Sequence, residues 1–317
     1  MSELTPLYPL KLKPTLHVKV WGGRKLRTQM AKELPTDEPY GESWEVHDTA
    51  TVNNGSLSGQ TLNEILNQYG QQLIGTHNDP AAGFPLLVKL IDAEQWLSVQ
   101  VHPNDVQARE LEGDPRGKTE AWLILAADEG AQLVTGVKRG TSREAMAAAI
   151  RDNQLEDLLV YEQVRAGDVF FIPANTIHAI GPGILLYEIQ QNSNVTYRLY
   201  DWGRVGLDGQ PRELHVDKGV QVSGVDSLPA LTHPTGETVE MVRSDYFVTT
   251  RHRLQDDRLE IPTEGRFHAL TCIEGALSIT HDETTIILST GDSALIPASL
   301  GAYIVLGTGT LLRSTQP

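Results

Sequence analysis

Apolar positions in this chain recur mainly in short segments of β character, and clusters of Gly, Asn, Asp and Pro separate them. Residues 84–91 (FPLLVKLI), 96–101 (WLSVQV), 121–126 (AWLILA) and 184–190 (ILLYEIQ) read as strands. Helical spacing is rare. Over residues 61–73 it places Leu62, Ile65, Leu66, Tyr69 and Leu73 on one face. Residues 142–159 are Ala-rich; Thr141 with Glu144 reads as a capping box, and a break is expected near Asn153.

One pattern occurs twice. GDVFFIPA at 167–174 returns as GDSALIPA at 291–298. Gly-Asp suits a tight turn, the apolar residues suit a buried strand, and Pro-Ala ends the pairing. The segments upstream match loosely, EAWLILAADEG against HALTCIEG. A mainly β protein of two related barrels with a few inserted helices is the expectation. The first barrel would occupy residues 1–225 and a degenerate second one 226–317, joined through a linker at 222–237.

Charge narrows the function classes. The 317 residues carry a formal net charge of −15. Such a surface repels nucleic acid and anionic lipid, so neither is an expected partner, and an anionic substrate would need a local basic pocket. Cys272 is the single cysteine, which rules out an internal disulfide and a multi-Cys zinc site. The amino-terminal segment has no apolar core of the secretory type, and no apolar run reaches membrane-spanning length. A cytoplasmic protein is expected.

Alternate residues of a strand share a face, so Ser98, Gln100 and His102 point one way. Lys118 and Glu120 repeat that arrangement in GKTEAW, and His178 follows the Pro-Ala turn of the first repeat. Two imidazoles, a carboxylate and an amide oxygen suit a borderline divalent metal with an open coordination position. Most of the ten histidines belong to surfaces and caps. The repeat acts as a control: His178 corresponds to Ala302 and Glu120 to His268, so His268 and His281 are not expected to be ligands. Glu188 interrupts an apolar strand, and Arg198 shares a face with Thr196 and Tyr200. Two readings stand for this pair: an internal Glu188–Arg198 salt bridge, or Arg198 as a clamp for a phosphate or oxyanion with Lys118 as a second cation.

These motifs resemble the type I phosphomannose isomerase family over nearly the whole chain. WGGRKL, GESWEV, FPLLVKLIDA, LSVQVHPND, GKTEAW, GDVFFIPANTIHAIGPGILLYEIQQNSNVTYRLYDWGR and SDYF occur in that order. The chain length is similar to the short bacterial form. One departure is His47 after GESWEV, where family members often carry a small residue. The resemblance implies two cupin-like jelly-roll barrels and one catalytic Zn²⁺ per chain. It implies ligands at His102, Glu120 and His178, with Gln100 as a possible fourth, a catalytic arginine at Arg198, and active-site roles for Lys118 and Glu188. Ser98 joins Lys118 and Arg198 as a candidate substrate contact.

The implied reaction interconverts mannose 6-phosphate and fructose 6-phosphate through an enediolate. Glu188, Lys118 and a metal-bound water are candidates for the base. Two other readings use the same scaffold, an iron-dependent cupin dioxygenase and a non-catalytic sugar-phosphate sensor. Oligomeric state is not read from these residues.

Overall fold

A computed structural model describes residues 5–317; the first four residues of the amino-terminal segment lie outside it. The protein is mostly β, as expected. One sheet of seven strands runs in the order Ala230–Thr232, Val169–Ile172, Glu120–Ala127, Ile184–Gln191, Leu86–Ala93, Thr15–Gly23 and Tyr40–Val46. A second sheet runs Thr238–Arg243, Val248–Pro262, Ala302–Thr315, His268–His281, Ser293–Ile296, Leu10–Lys13 and Thr51–Val52, with Thr284–Ser289 pairing on His268–His281. Among the described residues, no helix is long and apolar enough to cross a membrane.

The seven-stranded sheet is buried on both faces. In Leu86–Ala93, Leu86, Val88 and Leu90 pack into the core shared with the second sheet, while Ile91 and Ala93 face the other way. Glu120–Ala127 and Ile184–Gln191 divide in the same manner: Ala121, Leu123, Leu185, Tyr187 and Ile189 lie on the shared side, and Trp122, Ile124, Ile184 and Leu186 on the opposite one. Double burial explains why these strands read as continuous apolar runs. Strand Val99–Val101 pairs with Tyr197–Tyr200, and an isolated bridge joins Gln100 to His178. With the small sheet Ala179–Ile180, Gln132–Val137, Leu159–Gln163, these strands close the barrel opposite the seven-stranded sheet. Helices Arg143–Arg151 and Val216–Val222 supply Met146, Ile150 and Val222 to the apolar cluster behind that wall.

The repeat holds at the level of register. Ile172 pairs with Glu120 and Ile296 pairs with His268, so Glu120 and His268 occupy corresponding places. Local differences have simple causes. The segment 96–101 forms a strand only from Val99, because the Leu97 N–H bonds to Ile180 outside a regular ladder. Helix Leu62–Tyr69 has a true Thr61–Glu64 capping box and stops at Gly70, after which Gln71–Ile74 form a separate turn. The Ala-rich helix is capped by Ser142, not Thr141, whose hydroxyl bonds back to the Lys138 carbonyl. Asn153, at φ 56°, ends the helical path. The segment expected to be a linker contains Ala230–Thr232, which extends the first sheet at Val169–Ile172.

A buried ion pair fastens the two sheets together. Glu45 accepts from Ser43 at 2.6 Å and from Ser293 of the second sheet at 2.9 Å, and its carboxylate lies 2.6 Å from Lys32 Nζ. Lys32 also donates to the Gly291 carbonyl. Removing one partner leaves the other charge buried without compensation. Glu45→Ala is expected to cost about 3–5 kcal/mol in denaturant unfolding. The double replacement Lys32→Met with Glu45→Leu is expected to recover a large part of that loss; no recovery would show that the ionic network itself is needed.

Candidate active site

The inner face of the seven-stranded sheet presents charges into the barrel. A cavity of about 390 Å³ opens there, lined by Ser98, Gln100, Lys118, Glu188 and Arg198 among others. Its lining holds five cationic side chains, Lys19, Lys89, Lys118, Arg198 and Arg212, against two carboxylates, Glu42 and Glu188. In a chain of net charge −15 this is a local reversal of sign.

Behind its lining residues Lys118 and Gln100, His102, Glu120 and His178 meet. One donor atom from each lies within 4.8 Å of the others, and this is the single cluster of its kind among the described residues. His178 Nε2 is 3.2 Å from Glu120 Oε1, and His102 Nε2 is 3.7 Å from Glu120 Oε2. Two bonds of about 2.0–2.1 Å at a tetrahedral angle would separate donors by about 3.4 Å, so the trio fits one small divalent ion. Both Nδ1 atoms face backbone carbonyls, His102 on Val195 at 2.9 Å and His178 on Thr176 at 2.9 Å. Those bonds fix the tautomer and aim each Nε2 lone pair at the centre. Burial lowers the pKa of both imidazoles, keeping them neutral; Lys118 adds to the effect at His102. Both Glu120 oxygens are buried without an aligned hydrogen bond, although the Lys118 ammonium lies 2.9 Å from Oε2. A buried carboxylate with unused lone pairs beside two imidazole lone pairs suits a metal cation.

Lys118 Nζ stands 2.9 Å from Glu120 Oε2 and 3.2 Å from His102 Nε2, bridging the trio to the cavity. The Gln100 amide nitrogen lies 3.3 Å from His178 Nε2, and Ser98 donates to the Gln100 oxygen at 3.4 Å. A half-turn of that amide would present its oxygen to the same point.

Glu188 has a different partner from the one considered in the sequence. Its Oε1 accepts from Lys89 at 2.8 Å and its Oε2 from Trp122 Nε1 at 2.9 Å. Burial alone would raise this carboxyl; Lys89 first, then Lys118 and the two hydrogen bonds, hold it down to about 2. Arg198 donates to the Glu213 carbonyl at 2.8 Å, and its buried Nε has no partner. Arg212, beside it in the lining, is held by Asp201 at 2.7 Å and 2.5 Å. Lys89, Lys19, Glu42 and Arg212 were missed from sequence. Lys89 had the same signal as Glu188, a charge inside an apolar strand; Lys19 and Glu42 alternate with Trp21 and Trp44; Arg212 lies in a loop with no periodic signal.

The chain is similar to known proteins along nearly its whole length. Residues 9–123 match the type I phosphomannose isomerase catalytic domain, and residues 237–316 match the mannose-6-phosphate isomerase cupin domain. The mannose-6-phosphate isomerase of Streptococcus mutans is 34% identical over 304 residues, covering 93% of this chain and 94% of its own. The mannose-6-phosphate isomerase ManA of Bacillus subtilis is 34% identical, covering 94% and 96%. The crystal structure of the mannose 6-phosphate isomerase from Bacillus subtilis superposes with a TM-score of 0.87 at 32% identity, covering 96% of this chain and 99% of its own.

The Glu188–Lys89 pair gives a pH dependence with a defined sign. The carboxyl is lowered on folding from 4.5 to about 2, so the pair stabilises the fold above about pH 4.5 and loses that effect as pH falls towards 2. In Lys89→Met, burial is opposed by fewer cations, and Glu188 is expected to titrate at clearly higher pH. Carbon-13 NMR of labelled glutamate reads this directly; an unmoved titration would mean that Lys118 and Trp122 suffice.

Proposed function

The chain belongs to the type I phosphomannose isomerase family, and we propose that it interconverts mannose 6-phosphate and fructose 6-phosphate with a zinc ion as cofactor. The observation that carries this reading is a His–Glu–His trio in contact with Lys118 and Gln100, two lining residues of a cavity whose charged lining is mainly cationic. Zinc held by His102, Glu120 and His178, with Gln100 as a fourth donor, would supply Lewis-acid stabilisation of negative charge on neighbouring substrate oxygens.

The remaining work falls to the chain's own side chains. Moving a proton between C2 and C1 of the sugar passes through an enediolate, and fixed positive groups favour that charge. Arg198 has a buried Nε free to donate, so it is assigned to the developing oxyanion, with Arg212 beside it adding to the positive field. Ser98 and Lys118 line the wall between the trio and the cavity and are assigned to substrate hydroxyls. A carboxyl held at about 2 is a poor proton acceptor near neutrality, and both Glu188 oxygens are already engaged. Glu188 is therefore assigned to fixing Lys89 and the wall charge. Lys118, in contact with both the trio and the cavity, is the side chain best placed to exchange the proton. The catalytic unit is assigned to residues 1–225 and the second barrel to 226–317, with strand Leu10–Lys13 crossing to pair on Ser293–Ile296.

A coupled assay of mannose 6-phosphate consumption tests the reading. Chelation is expected to abolish turnover and zinc to restore it; full turnover by verified metal-free protein would sink the proposal. If Arg198 acts on the transition state, Arg198→Ala is expected to lower kcat by about 10²–10³ with little change in KM. A rise in KM at constant kcat would instead assign Arg198 to gripping the phosphate.

A further inference from the structure

A second cationic site lies on the other side of the seven-stranded sheet, at the seam with strand Val248–Pro262. Two adjoining clefts of about 260 and 320 Å³ share Ala166, Gly167, Arg251 and Arg253, and they share no lining residue with the active cavity. Strand alternation puts Arg251 and Arg253 on one face, while His252 and Leu254 point to the other. The two arginines stand about 7 Å apart along the strand.

Arg251 is 5% exposed, yet it has no carboxylate partner among the described residues. One of its terminal nitrogens donates to the Gly236 carbonyl at 3.0 Å and the Pro234 carbonyl at 3.4 Å, and its Nε is buried with no partner. Its nearest like charge is Arg253, which is exposed and adds repulsion. A covered guanidinium without counter-charge is costly unless an anion joins it.

The nearby acids are already engaged. Asp168 Oδ1 faces His233 Nδ1 at 2.9 Å and Arg165 Nε at 3.4 Å, and its Oδ2 accepts from the Arg165 backbone N–H at 3.0 Å. Glu274 accepts only from the neutral Thr310 hydroxyl at 3.1 Å and keeps its charge, but it lines the neighbouring cleft and not the one that Arg165 edges, where the anion is placed. The Gly-Asp turn that edges the cleft is open: a side chain built at Gly167 would meet nothing within 4 Å. At the corresponding Gly291 the Met30 backbone fills that space. The first copy of the repeat thus leaves room where the second is packed.

We propose that this seam binds inorganic phosphate, held by the forked donors of Arg251 and Arg253 with Arg165 at the rim. A tetrahedral dianion matches a guanidinium fork, and its charge offsets the repulsion between the arginines. Calorimetric titration of the intact protein with inorganic phosphate, against sodium chloride at equal ionic strength, tests it. Arg253→Gln is expected to weaken the seam site about fivefold. Its isomerase rate at saturating sugar phosphate is expected to match the parent, which checks the fold. Arg251→Lys keeps the charge but loses the fork and is expected to weaken the site as well. Arg198→Ala, altered only in the active cavity, is expected to retain it. Unchanged phosphate affinity in Arg253→Gln, or loss of all phosphate binding in Arg198→Ala, would overturn the proposal.

Discussion

A carboxylate on a sheet buried on both faces must be given a cation or hydrogen-bond donors within the fold, and this constraint organises the molecule. The seven-stranded sheet carries four carboxylates with almost no exposure: Asp92, whose Oδ2 accepts from the backbone N–H groups of Lys25 and Leu26, and Glu45, Glu120 and Glu188. Glu45 points to the outer face and is answered by Lys32, which fastens the sheet to its neighbour. Glu188 points inward and is answered by Lys89 from the adjacent strand. Glu120 also points inward, but the lysine beside it makes no hydrogen bond to either of its oxygens. It is instead flanked by two imidazoles whose lone pairs face the same point. Glu45, Glu120 and Glu188 each meet a lysine, and Glu120 alone also meets two imidazoles, a set that could hold a metal ion.

Much of this was legible in the sequence because it is periodic. Alternation placed Gln100, His102, Lys118 and Glu120 on inward faces, and the Gly-Asp repeat aligned the two barrels in a register that the strand pairing reproduces. The partner of Glu188 was not legible. Arg198 is ten residues downstream in sequence, but its strand pairs with Val99–Val101 on the opposite wall, whereas Lys89 sits directly across the ladder. Which charges meet inside a barrel depends on strand order, and strand order is a long-range property that no local pattern encodes. Arg212 was hidden for a related reason: it reaches the cavity from a loop, held there by Asp201.

The second barrel shows what the same register does without the ligand set. His268 stands where Glu120 does in the first barrel, but its Nδ1 lies 3.0 Å from the Tyr303 hydroxyl. Burial, with Arg313 next, pushes His268 down to about 3 and His252 to about 4. Arg313 lies near both imidazoles, whereas Glu120 in the first barrel lies between two imidazoles. At the two positions the repeat aligns, Glu120 and His178 of the first barrel give way to His268 and Ala302.

Charge distribution follows from the same division of labour. Acidic residues give the chain its excess of negative charge, and that surface would repel a sugar phosphate. The five cations lining the cavity reverse the sign locally, but two of them, Lys89 and Lys19, are paired with Glu188 and Glu42. The others have partners that are neutral or shared: Arg198 has a backbone carbonyl, Arg212 an Asp201 that also binds Arg204, and Lys118 a Glu120 that also faces two imidazoles. A guanidinium held by a carbonyl keeps its full charge and its position together, so little reorganisation is needed when negative charge develops on the sugar. That combination of fixed place and uncancelled charge is what the paired lysines of the same cavity lack.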